Sequence, residues 1–99
     1  MTDITVRHAV AADRGELDRL AILDSATSPR GPALVAEADS RMLAALPLGS
    51  GRAIADPFEP TAEVVALLQL RADQLAGARE RRGWTERVRA LMRLRPRPA

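Results

Sequence analysis

The stretch with the most chemistry in reach is residues 52–75, RAIADPFEPTAEVVALLQLRADQL. It reads as a short strand passing through a Pro-punctuated bend into a long amphipathic helix. Turns of this kind hold phosphate groups in many α/β proteins, because a helix N-terminus presents unpaired N–H groups and the positive end of a dipole. Whether this bend does so separates an enzyme from a non-catalytic module, and the residues around it favour the second. Other chemistry is sparse. His8 is the sole His and there is no Cys, which removes thiolate zinc sites, paired-His metal sites and a cysteine nucleophile. His8 falls in register with the apolar face of a strand and is read as a satisfied strand-end residue. Ser25, Ser28, Ser40 and Ser50 lie in turn contexts without a Gly-x-Ser-x-Gly elbow, and no Walker loop occurs. No catalytic, cofactor-binding or metal-ligating residue is assigned.

Charge is unevenly spread. All fifteen basic residues are Arg; residues 1–78 carry seven Arg against eleven acids (−4), and residues 79–99 carry eight Arg against Glu80 and Glu86 (+6), which sum to the net +2. An acidic body with a basic tail is a pattern for contact with nucleic acid, an anionic surface or an acidic partner. Codon bias produces the same Lys-free composition. The length, 99 residues, suits one domain that buries ~60–65% of its unfolded surface. Only Phe58 and Trp84 are aromatic, so the core is built from Leu, Val, Ile and Ala. No run approaches the ~18 apolar residues of a membrane span. MTDITVRHAV lacks the basic start and apolar run of a signal peptide, so a cytoplasmic protein is expected.

The elements that would position these residues follow from periodicity. Residues 4–9 alternate as a half-buried strand. Asp13 and Glu16 form a capping-box pattern ahead of a helix over residues 14–25, ended by SATSPRGP. Residues 33–38 and 41–48 read as strands joined by an Asp39-Ser40 turn. In the second of them Met42, Ala44, Leu46 and Leu48 share one face, opposite Leu43, Ala45 and Pro47. Both faces are apolar, yet Pro47 implies an edge or the strand's end. After Gly49-Ser50-Gly51 a strand returns over residues 52–56. Thr61 caps the long helix, whose Val64, Val65, Leu67, Leu68, Leu70 and Leu75 should lie flat on the sheet as the main core contribution. Gly83 should stop it. A second, short amphipathic helix then starts at Trp84 with Thr85 as its cap, carrying Val88, Leu91 and Met92 on one face and ending at RPRPA. Packing back on the sheet is the commonest fate of such a helix; a membrane surface or a partner protein is the alternative.

The fold class is thus α+β: a β-α-β-β-β-α antiparallel meander with a long helix packed on it, residues 1–83, followed by a basic amphipathic helix and Pro/Arg tail, residues 84–99. This order resembles the N-terminal half of the GNAT N-acetyltransferase superfamily over about residues 3–80. ITVRHAVAADRGELDRLA is similar to that family's usual strand followed by an Ala-Asp-capped helix. ALVAEADSRMLAALPL resembles its second and third strands, and Pro57 sits where many members carry a Pro before the acyl-CoA loop. The resemblance implies binding of the acetyl-CoA pyrophosphate by an Arg/Gln-x-x-Gly-x-Gly/Ala loop at the long helix. Overlaid from Pro57, that pattern meets Glu59, Pro60, Ala62 and Val64 instead. Pro60 has no N–H to donate, Val64 adds a β-branched side chain, and Glu59 and Glu63 add negative charge. No Gly occurs between Gly51 and Gly77, and the Tyr that family members use as an acid has no counterpart, there being no Tyr.

Three functions are weighed. The favoured one is a non-catalytic acetyltransferase-like domain without cofactor, acting by association as a homodimer or with a protein partner. In it, the tail helix or a second copy covers the exposed edge of the strand at residues 52–56. The second is a minimal or partner-completed acyltransferase using acetyl-CoA, with Glu37 as its sole candidate base. The third is a nucleic-acid or anionic-surface binder working through Arg79, Arg81, Arg82, Arg87, Arg89, Arg93, Arg95 and Arg97, for which no aromatic stacking platform or recognition motif is present.

Overall fold

A computed structural model describes residues 3–49 and 51–93; Ser50, Arg95, Arg97 and the RPRPA ending lie outside the described residues. The elements run β1 (Thr5–His8), a 3-10 turn (Ala11–Asp13), α1 (Arg14–Leu23), β2 (Ala33–Ala38), β3 (Arg41–Pro47), β4 (Ile54–Ala55) and α2 (Ala62–Arg93). The four strands form one sheet in the order β1-β2-β3-β4, and every neighbouring pair is antiparallel. The chain is therefore α+β, with a meander sheet and a long helix. The strands at residues 4–9 and 52–56 shrink to four residues and two.

The β2–β3 turn is fixed locally. Asp39 and Ser40 both have positive φ, 52° and 64°, the backbone whose twist matches that of the flanking strands. Pro47 closes β3, facing Ala33 at its last paired position. Between these points β3 departs from simple alternation. Ala36 pairs with Ala44 but Glu37 pairs with Met42, so Leu43 is an extra residue, a β-bulge. The bulge moves Met42 to the opposite face from Ala44 and Leu46, correcting the expected alternation.

The two faces consequently have separate cores. Under α1, Leu17, Leu20 and Ala21 meet Val35, Met42, Ala45 and Ile54. Under α2, Val64 and Leu68 meet Leu34, Ala36, Ala44 and Leu46. The sheet is covered on both sides, which is why β2 and β3 read as continuous apolar runs.

Two caps differ from expectation. Asp13 does not close a capping box on α1; its carboxylate accepts the Val10 N–H at 2.7 Å and pairs with Arg7. Glu16 accepts the Met42 N–H at 3.3 Å and holds Arg19, so it ties α1 to β3 rather than capping the helix. The larger correction concerns α2, which passes through Gly83 without a break and continues to Arg93. An interior Gly destabilises a helix by only ~1 kcal/mol relative to Ala. Thr85, expected to start a new helix, donates its hydroxyl to the Arg81 carbonyl at 2.9 Å and so joins the preceding turn. The short C-terminal helix is thus the second half of α2. It does not fold back on the sheet: the α2 side chains packed on the sheet end at Leu75. The radius of gyration, 18.5 Å, exceeds the ~13 Å of a compact chain of this length.

Candidate functional site

The entrance to α2 is built by Asp56. This carboxylate is buried, accepts the Phe58 N–H at 2.9 Å, and lies 3.8 Å from both Arg19 and Arg41. Its own N–H donates to the Leu43 carbonyl and its carbonyl accepts from Glu59, so the PFEP bend is pinned to the bulge in β3. Beyond it, Val65 N–H donates to Thr61 O at 2.8 Å, closing the first turn of α2. Glu59, Pro60 and Glu63 are exposed at this end. Val64 faces the core instead, so the ring and the carboxylates, rather than Val64, are what an incoming anion would meet. The groove beside the entrance is lined by Asp39 and Glu59 against Arg41, and that Arg already faces Asp56.

Glu37, the candidate base, is held in a clamp. Arg7 donates to it at 3.1 and 3.3 Å, and to Asp13 at 2.8 and 2.9 Å. The cluster joins β1, β2 and the turn before α1, which is a bracing role. Arg7 is held protonated well above its ordinary range by Asp13 and then Glu37. The Arg7 hydrogen bonds, then the Val10 N–H, pull Asp13 down from 3.8 to about 2. A depressed carboxylate stabilises the fold above the unfolded-state value and loses that contribution as pH falls through the folded-state value. Acid titration followed by circular dichroism should therefore show up to about 2 kcal/mol of stability disappearing between pH 3.8 and pH 2. Asp13→Asn should flatten that slope.

His8 is exposed at the end of β1. Ser28 accepts from Arg14, and Ser25 and Ser40 occupy positive-φ turn positions. No group of three or more His, Cys, Asp or Glu among the described residues could hold a metal ion. The recess between the loops at 26–32 and 47–52 is lined by three Pro, with no carboxylate or imidazole among its described residues.

The remaining feature is α2 itself. Only Val64 and Leu68 of its residues are buried, contrary to the expectation that its Leu and Val all face the sheet. Leu67 and Leu70 are exposed, as are Trp84 (65%), Leu91 (70%) and Met92. At about 100° per residue, Leu67, Leu70, Gly77, Trp84, Val88 and Leu91 fall within an arc of about 120°, on the side away from the sheet-facing Val64, Leu68 and Leu75. Gly77 and Ala78 are small and half-buried at its middle. On the other side, past Leu75, the sheet-facing line continues as Arg79, Arg82, Arg89 and Arg93, all exposed. Reading Gly83 as a stop separates Leu67 and Leu70 from Trp84, Val88 and Leu91; the signal that joins them is the seven-residue step from Leu70 to Gly77 to Trp84. No helix among the described residues is long and apolar enough to cross a membrane. The chain matches no protein-family model, no curated protein and no solved structure.

The edge of β4 also differs from expectation. Asp56 N–H points to β3, so Ala55 N–H points outward, and it donates to the Asp24 carboxylate at 3.2 Å. The outward donor of this short edge is already satisfied from the end of α1.

Proposed function

We propose that this chain is a non-catalytic acetyltransferase-like domain that works by associating with another protein chain, a second copy or a different partner. The observation that carries the reading is the outward side of α2, where Leu67 and Leu70 at one end and Trp84 and Leu91 at the other are exposed and belong to neither core of the sheet. Exposed apolar clusters mark interaction sites in soluble proteins. The acetyltransferase-like part is supported by the meander followed by a helix on the face opposite α1, the order of elements in that superfamily's N-terminal half. The absence of catalysis is supported by Pro60, Glu59 and Glu63 at the helix entrance and by the double Arg7 clamp on Glu37. The Arg face of α2 favours the anionic-partner reading less strongly, since Glu86 interrupts it and Trp84 lies on the opposite side. Isothermal titration with acetyl-CoA tests the proposal. No saturable heat is expected, and no rise in melting temperature; micromolar binding would return the chain to the acyltransferases.

A further inference from the structure

The geometry points to a second copy of this chain, lying antiparallel along α2, as the occupant of the outward stripe. This rests on the association reading and specifies its partner. Leu67, Leu70, Gln74, Gly77, Arg81, Trp84, Val88 and Leu91 follow one another by three and four residues, the spacing of a helix-pair seam, apolar at both ends and polar about its middle. This seam also matches its own reverse. With two copies antiparallel about Arg79, Leu67 lies opposite Leu91, Leu70 opposite Val88, and Gln74 opposite Trp84. Gly77 lies opposite Arg81; within one chain Arg81 Nη1 is 3.5 Å from where a Cβ on Gly77 would stand, so the partner's Arg81 takes that place only as the chain's own guanidinium swings aside.

The flanking charges agree with this direction. Asp73 of each copy faces Arg87 of the other, twice by symmetry. The two Glu80 side chains meet at the axis, each beside an Arg81, which offsets their repulsion. Arg93, the last described residue of α2, falls opposite Val65 in the first turn of the second copy. The seam from Leu67 to Leu91 measures ~36 Å. Because the sheet packs on the far side of α2, the two bodies sit outside the pair at opposite ends, without collision. The bare half of each helix then covers the outer side of the sheet-bound half of its partner. Such an interface is isologous, as two-fold dimers require.

The chain contains no Cys, so single introduced thiols report the arrangement directly. Sedimentation equilibrium of the full chain is expected to give twice the 10.7 kDa chain mass. Ala78→Cys, next to the axis, should cross-link to itself with a short bismaleimide. Arg71→Cys should not, yet should link to Thr85→Cys when the two variants are mixed. Trp84→Asp should weaken the dimer by about tenfold or more with its helical circular dichroism retained. A monomer at every concentration, including one that binds anionic phospholipid vesicles, would overturn the proposal. So would self-linking of Arg71→Cys in preference to Ala78→Cys, or a dimer indifferent to Trp84→Asp. None of these outcomes depends on acetyl-CoA, whose binding alone defeats the broader reading.

Discussion

Leu68→Ala should remove about 2–5 kcal/mol of stability, a large part of the ~5–15 kcal/mol that holds a domain of this kind folded. Leu68 is fully buried beneath the sheet, packed with Leu34, Ala36, Ala44 and Leu46. Truncation leaves a cavity between two rigid layers that have little freedom to collapse into it. Leu70, two residues on, is 54% exposed on the opposite side of the same helix. Leu70→Ala should change the stability of the isolated chain by roughly 0.5 kcal/mol or less and act on association instead. Urea denaturation of both variants at low protein concentration separates the faces: a large midpoint shift for Leu68→Ala and almost none for Leu70→Ala. Comparable shifts would mean that the outward stripe is packed within a single chain.

Asp56→Ala is the second large effect, expected at about 2–4 kcal/mol by the same measurement. The side chain is 1% exposed and anchors the bend before α2 through the Phe58 N–H. Its removal frees that N–H and leaves Arg19 without its buried counter-charge; Arg19 Nη1 is already buried with no hydrogen-bond partner. Asp56→Asn keeps the acceptor for Phe58 and loses the charge, so its cost should be smaller. The order Ala worse than Asn would identify the bend, rather than the ion pairs alone, as what Asp56 secures. A loose bend would also tilt α2 on the sheet, so Asp56→Ala couples stability to the placement of the outward stripe.

Local chemistry was the legible part of this fold. The bounds of β2, the Asp39-Ser40 turn, Pro47 as a strand end and Thr61 ahead of α2 each follow from residues within a few positions of one another. What escaped depended on distant partners. The bulge at Leu43 exists only in the pairing of β3 with β2, so period-two alternation placed Met42 on the wrong face. Asp13 has the type and spacing of a helix cap, but Arg7 from β1 claims its carboxylate. Gly83 has the type of a helix stop, but a stop needs a following segment that turns away, and Thr85 binds back to Arg81 instead. Asp56 gave no signal because an Asp before Pro is ordinary turn composition; its burial comes from Arg19 and Arg41, brought in by α1 and β3. Of the candidate site, the Trp84, Val88 and Leu91 portion was visible as an amphipathic stripe. Its union with Leu67 and Leu70 required knowing that the helix is continuous.

The bond from Ala55 to Asp24 bears on how large any assembly grows. An open strand margin accepts one more strand, which exposes another, and polymers extend this way without limit. Here the outward amide of that margin is already occupied, which discourages growth at β4. A pair joined through α2 uses up its own seam, so a third molecule finds neither that seam nor the β4 amide free. Assembly through these two surfaces is finite: it halts at two.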